Sequence, residues 1–186
     1  MLSTSSLAAG FSVNLLFRRN PHRDAAERAY GLVVEQARRP EFFTTLGVPD
    51  TLDGRFELIS LHAFLYLHRL KAEGAAAAAF GQVFFDTMFA DFDRSLREIG
   101  TGDLSIGRQV TRMAEAFYGR VRAYEDGLAG SDEELRAALA RNVYGTTEPT
   151  EEQLVRLASY LRRENASLAG QSGAALCAGS IGFDAP

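Results

Sequence analysis

The residues able to do acid–base or metal chemistry are few. Histidine occurs three times, at His22, His62 and His68. His62 and His68 stand six residues apart, about 120° around a helix, so they share no metal-binding face. His62 sits among Leu58, Leu61 and Leu65, which suits a hydrogen-bonded core histidine better than a ligand. The paired Glu-x-x-His motifs of di-iron bundles are absent. Asp86 and Asp93 lie seven residues apart on one helix edge, the types and spacing of an acid–base pair. An ordinary ion pair of Asp93 with Arg97, one turn on, accounts for the second equally well. Cys177 is the single cysteine, so the sequence holds no internal disulfide and no cysteine-based zinc site. Neither it nor any serine has a nucleophile-elbow context. The sequence shows no catalytic set, no metal site and no cofactor motif.

The stretch "GTGDLSIG" (100–107) invites a phosphate-binding reading. A nucleotide loop needs a preceding strand and Gly-Lys-Ser/Thr, whereas Gly107 is followed by Arg108 and Gln109. Gly100, Gly102 and Gly107 also miss the dinucleotide spacing. A helix reversal fits better. Gly100 supplies the left-handed residue ending one helix, Gly102 eases the turn, and Asp103 caps the next helix.

Arg120 stands out by position. On its helix it falls inside the apolar sector, close to Met113 and Phe117. A buried guanidinium must be paired. One reading makes it a staple to an acid of the neighbouring helix, Asp86, Asp91 or Asp93. The other puts it at the floor of an exposed groove that binds a partner.

These residues require helices to position them. Asn20 and Pro21 open a helix running to about Arg39, and Pro40 opens a short helical turn. Asp50 or Thr51 starts a second long helix ending near Gly74. The run Ala75–Ala79 leads a third to Ile99, and Asp103 begins a fourth that ends before Gly130. "SDEE" (131–134) and Thr150 with Gln153 are capping boxes for a fifth and a sixth. The expected fold is all-α, a single bundle of about six helices at 21–169. Residues 1–20 read as an N-terminal tail and 170–186 as a flexible C-terminal tail. The helix from Phe56 to Leu70 is apolar nearly all round and belongs at the centre.

The 186 residues are 46% apolar and 24% charged, with a formal net charge of −4, a soluble globular balance. The acidic excess argues against a nucleic-acid binder. The apolar run 56–70 contains Glu57, His62 and His68 and is too short to span a bilayer. The first acid is Asp24, and Arg18, Arg19 and Arg23 precede it, which gives residues 1–23 the look of either an organellar presequence or a basic tail. "FSVNLLFRR" (11–19) leaves open a peripheral membrane module, and the four residues Asp86, Asp93, His62 and His68 leave open a helical enzyme.

Three blocks carry a resemblance: "GVPDTLDGRFELISLHAFLYLHRL", "FFDTMFADFDRSLREIGTGDLSIGRQVTRMAEAFYGR" and "ALARNVYG". Together, from about Tyr30 to Gly145, they resemble the ubiquinol–cytochrome c chaperone family. The matching signature covers Asp93, Leu96, Arg97, Glu98, Gly100, Gly102, Asp103, Gly107, Met113, Phe117, Tyr118, Gly119 and Arg120. The resemblance implies an all-helical, non-catalytic assembly factor for ubiquinol–cytochrome c reductase. It implies newly made cytochrome b as partner, with the ribosome and a second assembly factor as further ones. The family often carries lysine after the third glycine and near the next turn; Arg108 keeps that charge and Thr111 does not. Mitochondrial members are longer, so the chain reads as bacterial, placed in the cytoplasm at the periphery of the inner membrane. The mitochondrial matrix is the alternative. The partner-binding candidates are Phe80, Phe84, Arg94, Arg97, Arg108, Arg112, Phe117, Tyr118 and Arg120.

Overall fold

A computed structural model describes residues 21–98, 100 and 103–186. Six long helices form α1 (Pro21–Ala37), α3 (Leu52–Lys71), α4 (Ala75–Glu98), α5 (Asp103–Ala129), α6 (Asp132–Asn142) and α7 (Glu151–Ala169). Two five-residue helices, α2 (Pro40–Thr44) and α8 (Gly173–Cys177), complete the order. No strand occurs among the described residues. The expected all-α bundle is therefore the observed one. Residues 1–20, with the Asn20 cap and the "FSVNLLFRR" segment, lie outside the described residues, as do Ile99, Gly102 and the Asp103 side chain.

Local chemistry sets the helix ends. Thr51 caps α3 by accepting from the Gly54 amide at 3.1 Å. Ser131 and Glu134 exchange hydrogen bonds at the start of α6, and Thr150 and Gln153 do so at α7. Gly74 (φ +86°) follows α3, and Gly100 (φ +82°) follows α4 in the left-handed conformation expected of it.

α3 is the central element. Leu58, Leu61, Phe64, Leu65 and Tyr66 on it are almost wholly buried. α1, α4, α5 and α7 all pack against it, which is why its sequence is apolar on every side. α1 also lies along α4, and α6 bridges α5 and α7.

The segment 170–186 departs from the loose tail expected of it. α8 packs on α1, α3 and α4, and the residues after it bond to α1 and α7. Leu176 is fully buried and Ile181 nearly so. The Tyr66 hydroxyl donates to the Leu176 carbonyl at 2.6 Å, and Arg28 donates to the Ala178 carbonyl at 2.8 Å. Gly179 (φ +78°) lies so close to α1 that a Cβ there would sit 2.2 Å from the Ala25 carbonyl oxygen. Small residues give this segment little local pattern. Its order comes from distant side chains bonding to its backbone and from burial of Leu176 and Ile181, which leave no periodic trace in sequence.

A buried polar chain closes the dock. His62 is the core histidine expected of it. Its Nδ1 lies 2.7 Å from the Leu58 carbonyl, and its Nε2 lies 2.8 Å from the Tyr160 hydroxyl. The carbonyl can only accept, so Nδ1 carries the proton and Nε2 accepts from Tyr160. The Tyr160 oxygen accepts from Gln36 Nε2 (2.8 Å), which also donates to the Asp184 carbonyl (2.7 Å). The Asp184 amide donates to Glu164 Oε1 at 3.0 Å. Glu164 is fully buried, and its Oε2 has no hydrogen-bond partner among the described residues.

Burial pushes the His62 pKa down to about 4 and the Glu164 pKa up to about 7. The two act oppositely on stability. As pH falls below about 6.5 the unfolded histidine takes up a proton that the folded one refuses until about 4, so His62 loses stability across that window. Its full effect is on the order of 3 kcal/mol. Folded Glu164 is already protonated below about 7, whereas an unfolded glutamate stays ionised to about 4.5, so stability rises as pH falls between them. Wild-type unfolding free energy should change little between pH 6.5 and 4.5. Glu164→Gln should expose the histidine effect as a steady decline over that range. Urea melts at stepped pH check this, and a flat profile for the variant would contradict it.

Candidate partner-binding groove

The aromatic candidates divide by burial. Phe80, Phe84 and Phe117 are at most 1% exposed and serve the core instead of a surface. The physical reason is α1, whose His22 and Tyr30 rings cover Phe80 and Phe84 at 6.0 and 6.2 Å between centroids. Phe117 is held by Phe85 and Phe89 at 5.8 and 6.2 Å. Tyr118 does reach the surface, 59% exposed and stacked on Phe85 at 5.5 Å. It borders a cavity of about 390 Å³ floored by the small residues Ala75, Ala78 and Gly81 of α4.

The acids proposed as partners of Arg120 are occupied elsewhere. Asp86 accepts from Gln82 at 2.8 Å, and Asp93 pairs with Arg97 at 2.7 Å. Asp91 accepts from the Tyr30 hydroxyl at 2.8 Å and pairs with Arg94. Those contacts also correct the acid–base reading of Asp86 and Asp93, each of which has its own partner on α4. Arg94 and Arg97 are exposed in these same pairs.

Arg120 reaches α3 instead. Its Nε donates to Glu57 Oε2 at 2.5 Å, and its Nη2 donates to Glu57 Oε1. The two-pronged geometry matches a guanidinium to an ionised carboxylate. The guanidinium also lies 5.4 Å from the Phe56 ring centroid. Burial raises the Glu57 pKa against the pull of Arg120, whose own pKa Glu57 raises against burial. Behind the pair, the buried Tyr124 hydroxyl has no hydrogen-bond partner among the described residues, and burial raises its pKa.

Both readings of Arg120 meet in one place. The pair is an internal staple between α3 and α5, and it lies on the wall of an open groove of about 820 Å³. Phe56, Ile59, Phe92, Leu96 and Met113 supply its apolar surface, from α3, α4 and α5. Arg112 lines it from α5, whereas Arg108 is exposed elsewhere on that helix. Sequence reasoning missed Glu57 as the partner. The available signal was Glu57, the single carboxylate in the apolar run 56–70, and a lone arginine in the apolar stripe of α5.

The model of the family described as Ubiquinol-cytochrome C chaperone matches residues 44–183, three quarters of the chain. The chain belongs to that family. The match takes in α7 and most of the C-terminal segment, beyond the Gly145 limit read from the sequence. Ubiquinol-cytochrome-c reductase complex assembly factor 1 of Xenopus laevis is 29% identical over 155 residues, 83% of this chain and 78% of that protein. The corresponding Mus musculus and Homo sapiens proteins are 28% and 27% identical over 89% and 84% of this chain. Only 56% and 52% of their own lengths are matched, so this ubiquinol–cytochrome c chaperone family member spans about half of each. The crystal structure of the Cbp3 homolog from Brucella abortus superposes with a TM-score of 0.79 at 38% identity, over 89% of this chain and 91% of that one. Of the thirteen residues that carry the resemblance, Leu96, Met113 and Arg120 line the groove.

Proposed function

We propose that this chain is a non-catalytic assembly chaperone that binds newly made cytochrome b and assists biogenesis of ubiquinol–cytochrome c reductase. The carrying observation is the open groove at the family's signature hairpin, with apolar walls and a paired arginine. Such a surface suits reversible capture of an amphipathic segment. The smaller cavity beside Tyr118 adds a floor of alanine and glycine, which lets an apolar helix approach closely. The names of the relatives, reductase complex assembly factors, support the same reading. A ribosome and a second assembly factor are further proposed partners, with no specific nucleic acid. The proposed place is the bacterial cytoplasm, peripheral to the inner membrane. Among the described residues no helix is long and apolar enough to cross a membrane.

Deleting the gene in its native host should lower mature ubiquinol–cytochrome c reductase several-fold while other respiratory complexes stay largely intact. Crosslinking in that host should recover cytochrome b. Blue-native gels with normal reductase in the deletion strain would sink the function. Normal crosslinking to a different subunit would sink the choice of partner.

A further inference from the structure

The groove over Arg120 has a charge character opposite to that of the whole chain. The protein carries a formal −4, yet five arginines and three carboxylates line this groove, a local excess of two positive charges. Pairing sharpens the contrast. Glu57 is taken by Arg120, Asp91 by Arg94 and Tyr30, and Arg55 by Asp50 at 2.7 Å. What remains is Arg38, Arg112 and Arg141 against Asp53. None of those three arginines has an ion pair among the described residues, and all three are exposed.

Arg120 itself is not fully used. Glu57 engages Nε and Nη2, and Nη1 has no acceptor among the described residues. The side chain keeps 17% exposure, and it lines the cavity. A guanidinium with one edge satisfied and one edge open is a built receptor for a second oxygen acceptor. The staple fixes its position, so the open edge is held in place before any partner arrives.

The spacing indicates the kind of acceptor. Arg112 and Arg120 lie eight residues apart on α5, about 12 Å along the axis. A lipid headgroup phosphate brings one anionic centre and cannot meet both. Two carboxylates about two turns apart on an incoming helix can. Between the arginines, Met113 and Phe56 offer apolar contact to the intervening side chains.

We infer that this groove docks an acidic amphipathic helix of a protein partner, its carboxylates meeting Arg112, Arg141 and the open edge of Arg120. The inference rests on the chaperone reading for its choice of a protein partner, and adds the chemistry that the partner segment must carry.

The test uses the full chain and three fluorescein-labelled peptides with one leucine face and two variable positions two turns apart. The variable pair is Glu, Gln or Lys. Fluorescence anisotropy at low salt should show the Glu peptide binding about tenfold tighter than the Gln peptide, with the Lys peptide weakest. The preference should shrink at about 0.5 M salt. R112E/R141E alters two exposed, unpaired side chains, so it should fold normally by circular dichroism and reverse the order of the three peptides. Equal affinities, or no binding of any peptide, would overturn the proposal. So would displacement of the Glu peptide by phosphatidylglycerol vesicles but not by unlabelled Glu peptide, which would assign the groove to lipid. In the deletion strain, full rescue by R112E/R141E would overturn the docking proposal and leave the chaperone reading standing. Normal reductase without the gene would overturn the chaperone reading instead, and the peptide series alone then judges the groove.

Discussion

Arg120→Ala should lower the unfolding free energy by about 3 kcal/mol, more than Gly100→Ala in the same hairpin. The side chain is 17% exposed and its partner Glu57 only 9%. Removing the guanidinium leaves Glu57 without its paired cation and with only the groove's water beside it, and stranding a largely buried charge costs more than the net worth of the pair. Glu57→Gln should cost less, because a neutral amide can still accept from Arg120. Replacing both with apolar residues of similar volume, Glu57→Leu with Arg120→Met, should recover much of the loss. Gly100→Ala is the useful comparison. It imposes a left-handed conformation on a residue with a Cβ but meets no atom of the described residues within 4 Å, so about 1 kcal/mol is expected. Arg108→Ala and Arg112→Ala, both exposed, should stay near wild type. Urea melts of the series decide the ranking. Arg120→Ala melting like wild type while losing the partner would show that the arginine serves binding alone.

The second large effect concerns the C-terminal segment. Ending the chain after Ala178 should cost about 3 kcal/mol and loosen α7 and the C-terminal half of α1. The truncation removes Ile181, which is 7% exposed, and Phe183, whose ring stands edge-on to His62 at 5.3 Å. Losing the isoleucine alone costs about 2 kcal/mol of apolar burial. It also takes away the Asp184 backbone that satisfies Gln36 and Glu164. Water entering the vacated site would replace part of those hydrogen bonds, which keeps the total well below the sum of the separate losses. Hydrogen exchange should show α7 amides near Tyr160 losing protection, while α5 and α6 amides change little. A truncated chain with wild-type melting and unchanged exchange would mean that the segment rests on the surface without supporting it.

The candidate site was legible in one direction only. Arg120 could be picked out because α5 has a strong apolar stripe and a charge inside it breaks the pattern. The partner could not, because the pattern of one helix carries no information about which neighbour faces it. Asp86, Asp91 and Asp93 were reasonable choices from adjacency in sequence. They project toward Gln82, Tyr30 and Arg97 because α1 occupies one side of α4 and solvent the other. Phe80 and Phe84 show the same limit. Their side of α4 looks surplus until α1 is laid along it.

The sequence by itself determined the six long helices and most of their ends. Thr51, Ser131–Glu134 and Thr150–Gln153 act within one turn, and Gly100 acts on its own backbone, so their effects are readable wherever they occur. It also determined that α3 is central, since a helix apolar on every side has nowhere else to go. Only the tertiary structure decided the Glu57–Arg120 pair, 63 residues apart, and the hydrogen bond of Gln36 to Tyr160, 124 residues apart. It alone decided that residues 170–186 are docked, because the distant side chains of Arg28, Tyr66 and Glu164 bond to this segment's own backbone carbonyls and amide, groups that every residue possesses and no sequence pattern distinguishes.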